Sequence, residues 1–280
     1  MTKYALPGLR LGATSFVLPA DYVTGLRWAA AHCDDVALLL METGRCGELL
    51  PSAREIAEIG RIASGEGASL HLHLPTDADC DTRKAAAVMV NKAAMAMERA
   101  AVLRPHSFVL HLDFPSLRGT LRLGRACAGM LSEEKRLWTS EALARILALA
   151  PRPEQVAVEN LESFPPSFWD EWVAASACSR CLDAGHVWKD GGDPAALLAD
   201  WLPRLRVIHL HGVAPGRRDH SSLAFVPPAH LDALMHPLWQ AGFAGVLTLE
   251  LFGLDNFIHS HTALVRSWER YTATGSVARR

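Results

Sequence analysis

The stretch VIHLHGVAPGRRDH, Val207 to His220, decides the fold. Its first half is apolar apart from His209 and His211, which share one face of an extended segment because side chains alternate along a strand. A Pro215-Gly216 turn follows, with Arg217, Arg218, Asp219 and His220 behind it. Imidazoles on a buried strand end, with a carboxylate and another imidazole on the adjoining loop, supply the ligand chemistry of a Zn, Mn or Fe site. Read alone, the segment is equally a core strand whose histidines are satisfied locally. Its neighbours in the sequence have to settle the choice.

Outward from this stretch, short apolar runs alternate with longer amphipathic ones. The strands read as residues 9–16, 35–42, 69–74, 107–113, 155–160, 179–183, 205–211 and 245–251. Helices are expected over 20–32, 52–64, 81–103, 132–150, 167–176, 194–200, 228–241 and 256–272. The strand DVALLLME is nearly all apolar, as a parallel strand covered on both faces must be. Eight strand-helix repeats in 280 residues predict an α/β fold, a (β/α)8 TIM barrel forming a single domain over 1–280. The rival is an open doubly wound sheet, which places a Gly-rich phosphate loop after its first strand; Gly12-Ala-Thr-Ser is not that pattern.

Composition narrows the function. A chain that is 50% hydrophobic and 21% charged is globular. A net charge of -2 without a Lys/Arg run argues against a protein held on nucleic acid by bulk electrostatics. The six cysteines are scattered, Cys178-Ser-Arg-Cys181 being the one close pair, so reduced thiols and a cytoplasmic location are expected. No signal-like N-terminus and no long uncharged apolar stretch is present, so no membrane association is expected.

Polar residues recur at strand ends. His73, His111, Glu159, Asp183, His209 and Glu250 each fall at or near the C-terminal end of a different strand, and in a barrel these ends meet at one mouth. Three carboxylates brought together there repel one another and are costly to bury, unless a cation compensates them. Asp183-Ala-Gly-His186 adds an imidazole able to orient a ligand. Asn160 faces away from Glu159 and can brace the loops; Glu42 reads as an ion-pair partner. His73 is preferred to His71, which lies deeper. Arg217 and Arg218 are candidate clamps for phosphate oxygens, with His211 as a further substrate contact.

Together, HLP at His73, the His111 strand end, Glu159-Asn160, Asp183-x-x-His186, His209, Asp219-His220 and Glu250 resemble the xylose isomerase-like barrel superfamily, in particular its endonuclease IV branch. Sugar isomerases and epimerases of this kind use one divalent metal on residues matching Glu159, Asp183, His209 and Glu250. The endonuclease IV branch uses three zinc ions and adds residues matching His73, His111, His186, Asp219 and His220. The chain departs from that branch in one respect: Asp219 and His220 are adjacent, where the branch separates them by one residue. The segments GATSFVLPADYVTGLRWAA, DDVALLLME, SLHLHLPTD and HLHGV…RDHSSL are similar to the cobamide-remodelling phosphodiesterases.

That resemblance implies a metal-dependent hydrolase that cleaves the nucleotide loop of a cobamide at its phosphodiester. The products are a cobinamide phosphate-type compound and an α-riboside. Two or three Zn or Mn ions are expected on His73, His111, Glu159, Asp183, His209, Asp219, His220 and Glu250, with Glu159, His186 and Glu250 catalytic. The substrate is a corrinoid, so the loops at 114–130 and 212–227 are expected to cover a macrocycle with Phe114, Leu117, Leu121, Leu123, Met130, Leu223 and Phe225. Arg118, Arg122 and Arg125 would meet its polar groups. The alternative is a one-metal sugar isomerase or epimerase, in which Glu159 and Glu250 form an acid/base pair.

Overall fold

The computed structural model describes residues 3–121 and 131–277. The strands are β1 (Arg10–Thr14), β2 (Asp35–Leu39), β3 (Ser69–His73), β4 (Phe108–Leu110), β5 (Val156–Glu159), β6 (Ser179–Asp183) and β7 (Leu205–Leu210), then a hairpin of β8 (Gly212–Ala214) and β9 (Arg218–Ser221), and finally β10 (Val246–Leu249). All but the hairpin close into a parallel barrel in the order β1-β10-β7-β6-β5-β4-β3-β2. The expected TIM barrel is therefore the observed fold.

Around the barrel run α1 (Tyr22–His32), α2 (Ala53–Glu66), α3 (Arg83–Arg99), α4 (Pro115–Leu121), α5 (Glu133–Leu149), α6 (Asp170–Ala175), α7 (Ala184–Lys189), α8 (Leu198–Trp201), α9 (Pro228–Ala241) and α10 (Leu254–Val277). Capping residues fix the helix starts. Ser52 forms a reciprocal capping box with Glu55 at the head of α2, and Ser132 caps α5 by accepting from Lys135 N. The helix expected over 81–103 ends at Arg99 and continues as a 3-10 turn, Ala101–Leu103. Those expected at 167 and 194 begin as 3-10 turns, each with a proline at its start. Two helices fall where loops were expected: α4 follows the fourth strand, and α7 starts directly at Asp183. Arg122, Leu123, Arg125 and Met130 lie outside the described residues.

Two apolar layers hold the barrel. A large one lies between the helices and the outer strand faces. A small one, Val109, Ala157, Cys181, Val207 and Val246, fills the barrel interior. Below it, at the N-terminal end, Asp35 is fully buried and accepts from Ser69 Oγ at 2.6 Å, with His71 Nδ1 at 2.5 Å and His106 Nε2 at 2.7 Å. Burial opposes ionisation of Asp35, but His71 and His106 outweigh it and hold its pKa well below the usual range. No described helix is long and apolar enough to cross a membrane.

The helix layer sits tightly on the strands at α1. A Cβ at Gly25 would stand 1.9 Å from the carbonyl oxygen of Ser15, so backbone rather than a movable side chain blocks it. Gly65, in α2, has nothing within 4 Å. Gly25→Ala should therefore lower unfolding free energy by about 1–3 kcal/mol through overpacking. Gly65→Ala should raise it by up to about 1 kcal/mol through helix propensity. Urea denaturation of both variants checks this; equal effects would mean that α1 is free to move off β1.

Candidate metal centre

Strand register builds the centre. Asp183 is the register partner of His209, and His209 of Thr248, so β6, β7 and β10 present these residues at one level. Glu250 lies two residues beyond Thr248 on the same face, one step nearer the mouth. His73 closes β3 and Glu159 closes β5. Sequence alternation and parallel register thus aim the six strand-end residues inward.

Glu159 is the hub. Its Oε2 lies 3.4 Å from His73 Nε2, 3.1 Å from His111 Nε2 and 3.4 Å from His209 Nδ1. The same His209 nitrogen is 3.1 Å from Glu250 Oε2. Asp183 connects to the hub through His186, whose Nδ1 stands 3.6 Å from Asp183 Oδ2 and 3.8 Å from Glu159 Oε1. The β5 and β6 ends are tied by Asn160, which donates to Asp183 O and accepts from Asp183 N, each at 2.9 Å. Asp183 is also the N-cap of α7, where Oδ1 accepts from His186 N at 2.6 Å. Asp183 Oδ1 is thereby engaged while Oδ2 is left for another partner.

Several of these atoms have no hydrogen-bond partner although they are buried: His111 Nε2, Glu159 Oε2, Asp183 Oδ2, and both ring nitrogens of His209. Native interiors seldom leave polar atoms orphaned, because each costs about 1–3 kcal/mol. A cation among them removes the deficit. The imidazoles also carry the tautomer that ligation needs. His73 Nδ1 faces Leu74 O at 3.0 Å and His186 Nδ1 faces Asn160 O at 3.0 Å. A carbonyl only accepts, so Nδ1 holds the proton and Nε2 keeps its lone pair. The donor set, nitrogen and carboxylate oxygen, suits Zn or Mn.

The electrostatics agree. Burial pushes the Glu159 carboxyl up, but His209 and His111 overcome this and hold its pKa well below the usual range. Glu250, likewise buried, is held well below by His209, and Asp183 is lowered by His186 and His211. Burial depresses the His209 imidazole, yet the ionised Glu250 and Glu159 raise it well above its ordinary value. Cys181 escaped the sequence reading. Its thiol stands in reach of Glu159 and His209, and burial pushes its pKa up to about 12, so it stays protonated. Its position two residues before Asp183 on one strand face was the available signal.

Other expected site residues are placed differently. His211, expected to touch substrate, is fully buried, with Nε2 3.2 Å from Asp183 Oδ1. Arg217 and Arg218 are exposed, and Arg217 pairs with Asp190 at 3.4 Å. The Asp219 carboxylate is bound by the Lys189 ammonium. Arg217 and His220 take left-handed φ of 60° and 46°, so the backbone here departs from regular strand geometry. Phe114 and Leu223 are fully buried and pack beneath the loops, whereas Phe225 is exposed. Arg118 is spent on Asp113 at 2.7 Å and lies 3.7 Å from Glu162. Glu42 is exposed.

Comparison with known proteins gives one family. The family described as "Xylose isomerase-like TIM barrel" matches residues 26–271. Among solved structures, a D-tagatose 3-epimerase-like protein superposes with a TM-score of 0.76 at 16% identity, covering 95% of this chain and 99% of that one. The 3-keto-D-glucoside 4-epimerase of E. coli gives 0.68 at 15%, covering 93% and 99%. A D-allulose 3-epimerase from Methylomonas sp., in complex with D-allulose, gives 0.67 at 15%, covering 94% and 97%. At such identities these likenesses establish the fold. No curated protein matches the sequence.

The site's protons set how it takes up a cation. Burial lowers the His211 imidazole, but Asp183 outweighs it and pushes the pKa from 6.5 up to about 9; His209 and His186 are raised as well. A raised pKa stabilises the folded state fully below pH 6.5, and the contribution disappears as pH climbs through about 9. Metal ligation by His209, whose pKa is raised in the same direction, demands the neutral imidazole, so affinity moves oppositely. The gain in Tm on adding Zn2+ to chelator-stripped protein should therefore widen from pH 6.5 to pH 9. Thermal scans across that range check it, and a constant gain would mean that these imidazoles do not compete with the metal for protons.

Proposed function

Since the chain belongs to the xylose isomerase-like TIM barrel family, we propose that it is a metal-dependent sugar isomerase or epimerase. One observation carries this reading: Glu159 and Glu250 both reach His209 Nδ1, at 3.4 and 3.1 Å, so two ionised carboxylates flank one point of the mouth. Several structures that share the fold are ketose 3-epimerases by name, which supports the assignment. Glu159, Asp183, His209 and Glu250 would hold the divalent cation, which supplies Lewis-acid polarisation of a substrate carbonyl.

The chain's own groups account for the proton movements. A carboxylate held well below its usual pKa is ionised at neutral pH and ready to accept the proton from the carbon next to a carbonyl. The other carboxyl, across the bound sugar, has to take up a proton from solvent before it delivers one to that carbon from the opposite face, and it is left ionised afterwards. His186, whose pKa Asp183 and Glu159 raise against the effect of burial, is held beside them by its Nδ1–H bond to Asn160 O.

A second reading, a phosphodiesterase acting on the nucleotide loop of a cobamide, is favoured by the size of the donor set. His73 and His111 both place Nε2 against Glu159 Oε2, more nitrogen than a one-cation site of Glu159, Asp183, His209 and Glu250 uses. In this reading His73, His111, Glu159, Asp183, His209 and Glu250 together would hold more than one cation. Paired cations neutralise phosphate oxygens and the leaving oxygen.

The test incubates metal-loaded protein in D2O with ketohexoses, and separately with adenosylated and non-adenosylated cobamides. The first reading expects epimer formation with deuterium at the epimerised carbon, and Glu159→Gln and Glu250→Gln each lowering the rate by about 10²–10⁴-fold. Release of an α-riboside without exchange on any sugar would reject it in favour of the second.

A further inference from the structure

Inside the barrel, between the Asp35 network and the Glu159 centre, lies a group of buried polar atoms that have no hydrogen-bond partner among the described residues: His71 Nε2, His209 Nε2 and Thr248 Oγ1. His209 and Thr248 are register partners on β7 and β10. The His71 ring, on β3, stands 6.4 Å from the His209 ring, with the two planes inclined by 33°. Gly12, the register partner of Thr248 on β1, leaves room at this level: a Cβ there would stand 3.2 Å from Thr248 Oγ1.

The protons on the two rings are complementary. The Asp35 carboxylate only accepts, so His71 Nδ1 donates to it, and Nε2, on the far side of the ring, keeps a lone pair. His209 turns Nδ1 toward Glu159 and Glu250. With a cation on Nδ1, the proton of the neutral His209 ring sits on Nε2. One ring thus offers an acceptor and the other a donor, and neither is used.

We propose that Asp35 and His71 are positioning residues for His209, acting through one buried water that accepts from His209 Nε2 and donates to His71 Nε2 and Thr248 Oγ1. The inference rests on the metal-dependent reading of the Glu159 centre, which it extends to the layer beneath. A buried water with several polar partners is a regular part of protein interiors, and this one satisfies every member of the group. A metal-bound imidazole needs an acceptor on its other nitrogen to fix its tautomer and raise its basicity. Backbone carbonyls serve His73 and His186 in this way, Leu74 O and Asn160 O, whereas His209 has no such carbonyl. The Cys181 thiol is the rival acceptor. It stands in reach of His209, but sulfur accepts weakly and no bond to either ring nitrogen is formed.

The experiment measures metal affinity and the water together. Chelator-stripped protein is titrated with Zn2+ against a chromophoric chelator, with circular dichroism as the check on folding. His71→Phe should weaken binding by about 10–100-fold, the loss expected when a metal-bound imidazole is deprived of its outer partner. Thr248→Val, which keeps the shape of the side chain, should weaken it in the same direction. In Zn2+-loaded wild type with isotope-labelled histidine, the His209 Nε2 proton should give a nuclear magnetic resonance cross-peak to a long-lived water, and Thr248→Val should lose it; a merely structural role would leave that signal in place. Unchanged affinity in folded His71→Phe and Thr248→Val, or no such water in wild type, would overturn the inference while the Glu159 centre stands. Loss of affinity in Cys181→Ala but not in His71→Phe would overturn it in favour of the thiol. Wild type that binds no Zn2+ would overturn the metal reading together with it.

Discussion

The burial of the Glu159 carboxylate among three imidazoles constrains everything around it. An ion in that position costs several kcal/mol unless its charge and lone pairs are met, and they are met only if three other strands deliver His73, His111 and His209 to within 3.4 Å. The barrel's closure is thus inseparable from the site's chemistry. A slip of one residue in any of these strands would turn its imidazole to the helix side and strand the carboxylate. The paired amide bonds between Asn160 and Asp183 guard against such a slip where the β5-β6 ladder ends.

The two ends of the barrel solve the same electrostatic problem differently. At the N-terminal end Asp35 is met by Ser69, His71 and His106, with Arg10 at 3.4 Å, so its oxygens are satisfied by protein alone. At the other end the carboxylates and imidazoles approach one another, yet Glu159 Oε2, Asp183 Oδ2 and the His209 nitrogens are left without hydrogen bonds. His71 and His73 illustrate the contrast, two residues apart on one strand face. The first is bound to a carboxylate through Nδ1, whereas the second spends Nδ1 on its neighbour's carbonyl and presents Nε2 to the hub. The oxygens of Asp35 are met although His71 Nε2 is itself without a partner, whereas at the mouth the carboxylate oxygens too are left open, as fits a ligand.

Much of this was legible in the sequence, because strands and their polar ends follow period-two alternation and the barrel brings all C-terminal ends together. His73, His111, Glu159, Asp183, His209 and Glu250 obey that rule and converge. The rule fails where the backbone leaves it. The hairpin of β8 and β9 reads as a loop because its Pro-Gly turn and charged residues mask the pairing. Within it, left-handed Arg217 and His220 depart from regular strand geometry, which alternation cannot foresee. Helix α7 was missed because Asp183 serves both as strand end and N-cap. The Asp35 network was missed because His106, its outer member, precedes its strand.

Charge balance across the mouth follows from the same hairpin. Asp113, Arg118, Glu162, Lys189 and Asp219 alternate in sign over the segments that follow β4, β5, β6 and β7. Each pair is partly exposed and contributes modestly by itself, but a chain of such pairs holds neighbouring segments in fixed relation. It also consumes Asp219. Were that carboxylate free, it would stand as a fourth negative charge beside Glu159, Asp183 and Glu250. Lys189 holds it together with Glu162, so one ammonium is shared between two carboxylates.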